Sequence, residues 1–187
     1  MSKRKRRPSP PPIALSHEEL RKLLAHARKI DFPVYILMLV QYWHAGRNSE
    51  MVKLTKRNFS DGYIHYQRGK GSESCSQKLR IHRDPLFDER TVISKFLAEL
   101  KGEWLYPRSR WTYWRHMVRV ALAVGIPRHK ANTRVLKHSI CTHLFEQKIP
   151  PNVVQRVAGH VNGENTLRYG RVREEQADAL LEELAAV

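Results

Sequence analysis

The sequence predicts a mainly helical protein carrying one small antiparallel β-sheet, an α+β fold. Three observations lead there. Apolar residues recur at helical spacing along most of the chain, and the period shortens to two only within residues 63–82. Between the two candidate strands of that stretch lies RGKGSESCSQ, a polar, glycine-containing connection of the kind that joins a hairpin.

Residues 1–13 form a tail in which Lys3, Arg4, Lys5, Arg6 and Arg7 precede Pro8, Pro10, Pro11 and Pro12. With no apolar surface to offset its ordering entropy, this segment is expected to be disordered or extended. It serves either as an arm for a polyanion or as a solubilising, nuclear-import-like tail. Residues 14–187 are the folded part. Ser16 and Glu19 have capping-box spacing, and Leu20, Leu23, Leu24 and Ala27 follow at i, i+3, i+4 and i+7. Residues 32–44 are apolar nearly all round, as a central core helix must be, and Gly46 closes them. A short helix is expected over 49–54, strands over 63–66 and 78–82, then helices over 89–100, 110–124, 133–147, 151–158 and 173–186. Pro151 is well placed to start a helix.

The chain has 187 residues, a net charge of +16 and a pI near 10.2, a balance that favours polyanionic partners, nucleic acid first and anionic membrane second. No apolar run approaches the roughly 18 residues needed to span a bilayer, and the first dozen residues lack the apolar stretch of a secretory signal. Cys75 and Cys141 form no CxxC pair, and no HExxH occurs among the ten histidines. These absences argue against a disulfide scaffold and a zinc site, and they point to a reducing, intracellular location.

Three segments carry chemistry. HAGRNSEMVKLTKRNF (44–59) places Arg47 just beyond the core helix, where a guanidinium offers a planar fork of donors to two phosphate oxygens. TRVLKHSICTHLFEQKIPPNVVQRVAGH (133–160) ends on Gly159-His160, and VNGENTLRYGRV (161–172) sets Tyr169 nine positions later. In order and spacing these segments resemble the tyrosine recombinase, or phage integrase, family. Gly46-Arg47-Asn48-Ser49-Glu50 resembles the family's arginine box, and Leu136, His138, Thr142, Leu144, Val154, Gln155, Gly159 and His160 fall where its second block requires.

The resemblance implies a tyrosine recombinase catalytic-domain fold and site-specific DNA recombination or integration, of the kind found in mobile elements. Tyr169 would be the nucleophile, leaving a 3′-phosphotyrosyl intermediate that conserves bond energy for religation. Arg47 would grip the scissile phosphate, and His160 would touch the phosphate or the nucleophile. Gly69-Lys70-Gly71 resembles the family's hairpin turn, whose lysine protonates the departing 5′ oxygen; Lys78 competes for that role because the hairpin register is open. No metal or nucleotide cofactor is implied. The expected partner is double-stranded DNA, gripped in part by the basic tail. A homotetramer on DNA is expected, exchanging the helix over 174–186 between protomers unless that helix packs on its own domain. No membrane partner is expected, and the location would be cytoplasmic and nucleoid-associated.

The family's second box departs here. Its histidine and its second phosphate-gripping arginine stand as Arg134 and Lys137. Lysine keeps the charge and loses the bidentate fork, although Arg134, one turn earlier on the same face, is placed to restore a guanidinium. That substitution supports an alternative, a weak or inactive descendant that binds DNA as a regulator. The resemblance begins near residue 14, without the separate N-terminal core-binding domain of most members, as in the short fimbrial invertases or a piece of a longer integrase. The helix over 110–124, with Arg115, His116 and Arg119 beside Trp111, Tyr113 and Trp114, is the candidate for further duplex contact.

Overall fold

Ser16 sets the first helix boundary: its hydroxyl accepts from the Glu19 N–H at 3.1 Å while the Glu19 carboxylate accepts from the Ser16 N–H at 2.7 Å. Helix α1 (His17–Ile30) follows and buries Leu20, Leu23, Leu24 and Ala27 completely, the stripe its spacing predicts. The structure, a computed structural model, describes residues 12–69, 72, 74–170 and 182. The expected helix over 173–186, most of the basic tail, and Lys70 therefore lie outside the described residues.

Helix α2 (Phe32–Trp43) is the axis of the fold. Every residue from Val34 to Tyr42 is buried, Gln41 included. It contacts α1, a one-turn helix α3 (Asn48–Met51), α4 (Glu89–Glu99), α5 (Arg110–Ala123) and α6 (Arg134–Glu146). Two short helices, α7 (Pro151–Ala158) and α8 (Glu164–Leu167), complete the described part; α8 is a single turn too short for periodicity to reveal. Ahead of α1, the Leu15 N–H donates to the Ser139 hydroxyl at 2.8 Å, tying the chain's entry to α6.

Gly46 does not close α2 as expected. Ala45 takes the left-handed backbone there, at φ 49°, and Gly46 lies against the buried Met51 thioether, which a Cβ would have to displace. Gln41 fixes this turn by donating to the Gly46 carbonyl at 3.1 Å while accepting from the Tyr113 hydroxyl at 2.7 Å.

The sheet has three strands in the order β1 (Phe59–Ser60), β2 (Tyr63–Tyr66), β3 (Cys75–Lys78), all antiparallel. The second strand predicted over 78–82 is corrected to Cys75–Lys78, paired from Tyr66↔Cys75 to Tyr63↔Lys78. The reason is the turn before Tyr63: Asp61 and Gly62 both have positive φ, 52° and 77°, and reverse β2 onto β1. Past Lys78 no described strand pairs with the chain: Leu79 N–H reaches the Gly62 carbonyl at 2.8 Å, Arg80 bonds instead to the start of α4 (its N–H to Glu89 Oε2 at 2.9 Å, its carbonyl from the Arg90 N–H at 3.0 Å), and Ile81 stands 71% exposed.

His44 and Glu89 join these layers as a fully buried ion pair, Nε2 to Oε1 at 2.9 Å, with Nδ1 on the Gln77 side-chain oxygen at 2.8 Å. Burial works against the charged ring, but the Glu89 carboxylate and the bonds to Cys75, Glu89 and Gln77 overcome it and raise the His44 pKa to about 9. A raised folded-state pKa stabilises the fold fully below the unfolded value of 6.5 and ceases to do so as pH climbs through about 9. The stabilisation at stake is on the order of 3 kcal/mol. Urea denaturation between pH 6 and pH 10 is expected to show that loss in the wild type and a flatter profile in Glu89→Gln.

Candidate active site

Arg47 caps α3 in extended conformation. Its N–H donates to Glu50 Oε2 at 2.8 Å and its Nη1 to Glu50 Oε1 at 2.8 Å, so one buried carboxylate holds both backbone and guanidinium. Glu50 also accepts from the Gly69 N–H at 2.9 Å. Burial pushes its pKa up, yet the hydrogen bonds from Arg47 and Gly69 outweigh that and hold it below the usual carboxylate value. The Arg47 guanidinium reaches the hairpin connection as well, donating to the Gly69 carbonyl at 3.2 Å and the Ser72 hydroxyl at 3.4 Å.

Helix α6 turns Arg134, Lys137 and His138 toward the same cleft of about 1050 Å3 that Arg47 lines. Arg134 is exposed at the helix start, and Lys137 is half-buried with Nζ donating to the Ala158 carbonyl at 2.7 Å. Desolvation first, then the nearby charges of Arg47 and Arg68, lower the Lys137 pKa to about 8. The cleft extends to the start of α5, where Arg110 lies over the Trp111 ring at 5.3 Å and Trp111 is 64% exposed. Farther along α5, Arg115 and Arg119 are exposed, Tyr113 is core, and His116 is held inward by Asp31 at 2.9 Å.

Helix α7 ends on Gly159, whose left-handed backbone (φ 61°) delivers His160. The His160 ring is fixed by Nδ1 against the buried Thr166 hydroxyl at 3.0 Å, and it stacks on Tyr169 with centroids 6.1 Å apart. Tyr169 turns its hydroxyl to His138 Nδ1 at 2.6 Å. Burial, reinforced by Cys141, raises the Tyr169 pKa, so the phenol is protonated at neutral pH. Desolvation and the surrounding cations lower both His138 and His160 to about 4, leaving the rings neutral.

Of the sequence-predicted residues, Arg47, Arg134 and Lys137 share one cleft, while Tyr169 bonds to its wall through His138 and stacks on His160. Lys78 does not join them: it lies over the Tyr63 ring at 5.9 Å, at the far end of the sheet register. The sequence reading missed Arg68. Its buried guanidinium donates to Ala158 O at 2.7 Å, Val157 O at 2.8 Å and His44 O at 3.1 Å, tying the ends of α7 and α2 to the hairpin. Nothing in its local sequence marks it, since a basic residue beside a hairpin turn normally faces solvent. Glu50 was legible only as a box letter, although it orients Arg47. Among the described residues, His17, His143 and Glu146 converge as potential metal ligands, but both His143 nitrogens are already bonded, to the Tyr42 hydroxyl at 3.0 Å and the Leu15 carbonyl at 2.9 Å.

The phage integrase family model matches residues 14–176 of the chain. The chain belongs to the phage integrase family. Among curated relatives, tyrosine recombinase XerA of Pyrococcus furiosus is 28% identical over 171 residues, covering 86% of this chain and 58% of the relative. Tyrosine recombinase XerD of Proteus mirabilis is 28% identical over 187 residues, covering 90% and 58%. The chain thus spans under two thirds of the length of these relatives. Solved structures share the fold: XerA recombinase at TM-score 0.74 (17% identical, covering 94% of this chain and 66% of that one); XerH recombinase bound to difH substrate in a pre-cleavage complex at 0.71 (19%, 92% and 55%); and a lambda integrase tetramer bound to a Holliday junction at 0.66 (18%, 84% and 49%).

For this member of the family, Gly159 is the residue that couples His160 to Arg68. A Cβ there would strike the Arg68 guanidinium as well as strain the left-handed backbone. Gly125 has φ 77° with nothing within 4 Å, so Gly125→Ala isolates the backbone cost, roughly 1–2 kcal/mol. Gly159→Ala is expected to lose clearly more than Gly125→Ala in chemical denaturation; equal losses would show that Arg68 yields freely.

Proposed function

We propose that this protein cleaves and rejoins double-stranded DNA at a specific site through Tyr169. The observation that carries this reading is the meeting of the Tyr169 hydroxyl with the face of α6 that shares a cationic cleft with Arg47. A phosphodiester seated in that cleft meets the Arg47 fork, Arg134 and the two Lys137 donors that Ala158 leaves unused. Such preformed cationic donors stabilise charge on the non-bridging phosphate oxygens in the transition state. Tyr169 attacks, the 3′-phosphotyrosyl bond forms, and the 5′ oxygen departs; the reverse attack religates the strand.

Lys70 is assigned the proton for the departing oxygen. Its support is connectivity: Gly69, directly before it, bonds to both Glu50 and Arg47. His160, ring to ring with Tyr169, keeps the nucleophile aligned. Assembly as a tetramer on DNA, with the segment over 174–186 exchanged between protomers, is part of the same proposal, as is the grip of the basic tail on the duplex. Among the described residues no helix is long and apolar enough to cross a membrane, and the net charge of +16 suits a DNA-associated protein.

A second reading, a DNA-binding regulator with little or no strand cleavage, is favoured by Lys137 standing in place of the family's arginine. Relaxation of supercoiled plasmid separates the two without knowledge of the target site. The wild type is expected to relax plasmid and form a covalent protein–DNA adduct, and Tyr169→Phe is expected to do neither. Silence from both the wild type and Lys137→Arg, with plasmid binding retained, would establish the regulator instead.

Lys137 adds a pH signature. In the free protein its charge is lost as pH rises through about 8. At limiting DNA, wild-type adduct formation is expected to fall across that range, while Lys137→Arg holds its activity to higher pH.

A further inference from the structure

We infer that His138 is the group that takes the proton from Tyr169 during strand cleavage and returns it on religation. The inference rests on the recombinase reading above. No role was assigned to His138 from the sequence beyond its fit to the second box; the geometry is what singles it out. Its Nδ1 lies 2.6 Å from the Tyr169 hydroxyl, inside the range for direct proton transfer, and its ring is half-buried on the wall of the cleft that would hold the phosphate.

The other candidates near Tyr169 are engaged elsewhere or of the wrong kind. His160 commits Nδ1 to Thr166 and presents its ring face, stacked within 12° of parallel, to the tyrosine. Glu50 is turned to Arg47 and Gly69. Burial pushes the Cys141 thiol up to about 11, which makes it a poor proton acceptor at neutral pH. Arg134, Lys137 and Arg168 are cations, and they supply field rather than lone pairs.

The charges around His138 give the step its timing. Desolvation and the three cations Lys137, Arg134 and Arg168 hold the free ring near 4, so it is neutral, and in the tautomer that leaves Nδ1 unprotonated it accepts the phenol's hydrogen bond. A phosphodiester entering among those cations offsets them, which raises the proton affinity of His138 when the substrate is in place. In the forward step the Tyr169 oxygen bonds to phosphorus, its proton passes to Nδ1, and the phosphorus–5′ oxygen bond breaks with its electron pair on the departing oxygen, which Lys70 protonates. In the reverse step the 5′ hydroxyl bonds to phosphorus and its proton returns to Lys70. The tyrosine oxygen then leaves and recovers its own proton from His138.

The test is covalent adduct formation on supercoiled plasmid by wild type and His138→Gln, each also prepared with 3,5-difluorotyrosine at position 169. That phenol is more acidic and almost the same size. His138→Gln keeps an acceptor for the hydroxyl but cannot take its proton. It is expected to lower the rate by about 10²-fold or more at unchanged plasmid binding, and difluorotyrosine is expected to restore most of the loss. A His138→Gln rate within a few-fold of wild type, or a loss that the acidic phenol does not relieve, overturns the inference and leaves His138 a positioning residue at most. Should His138→Gln fail to fold, the acid limb of the wild-type pH–rate profile decides: it stays in place on difluorotyrosine substitution if His138 is the base, and it moves with the phenol if not. Silence from both the wild type and Lys137→Arg, with plasmid binding retained, overturns the recombinase reading, and this inference with it.

Discussion

Two cations meet on the carbonyl oxygen of Ala158. Arg68 Nη1 and Lys137 Nζ each donate to it at 2.7 Å, at the C-terminal end of α7 where the helix carries its partial negative charge. Arg68 Nη2 donates to Val157 and His44, so a single buried guanidinium sets the end of α7 against the end of α2. Those two ends deliver His160 and Arg47. The hairpin that supplies Arg68 also presents Gly69 to Glu50, and Glu50 in turn holds the Arg47 fork. Four separate segments therefore depend on bonds made to backbone oxygens at two helix termini.

The choice of partners has an electrostatic consequence. A buried guanidinium matched to a carboxylate would be locally neutral, whereas one matched to three carbonyls keeps most of its field. After desolvation, which is the larger cause, that field and the one from Arg47 depress the ionisation of Lys137 and His160, while Lys137, Arg134 and Arg168 do so for His138. A phosphodiester bound as proposed would offset that field. Under the proposed function, pre-organised positive charge of this kind would supply the electrostatic stabilisation that a bound metal gives in phosphoryl-transfer enzymes.

Much of this was legible in the sequence. The capping box at Ser16, the unbroken burial of α2 and the Gly159-His160 turn followed by Tyr169 all depend on spacing within one segment, and spacing is what a sequence displays. The hairpin was read with its second strand displaced, because 78–82 alternates well and its lack of a partner strand past Lys78 is a tertiary fact. The signal for the partner was present as Asp61-Gly62, a dipeptide strongly associated with two-residue hairpin turns. Arg68 and the His138–Tyr169 bond were not legible for a different reason. Each joins residues far apart in the chain, by 90 and 31 positions, and Arg68 is of a type whose ordinary place is the surface.

Gly159 and Arg68 occupy adjoining space, and this constrains how the chain can change. A side chain at 159 is barred twice, by the left-handed backbone and by the guanidinium, while loss of Arg68 removes only the second bar. Substitutions at the two positions are therefore non-additive, and their order matters: a change at 68 eases a later change at 159, but the reverse order passes through a form that suffers both penalties at once. In this chain, with Arg68 buried, a side chain at 159 meets both obstacles. Where 68 has changed, glycine at 159 is held by backbone conformation alone, and asparagine, which tolerates that conformation, becomes admissible.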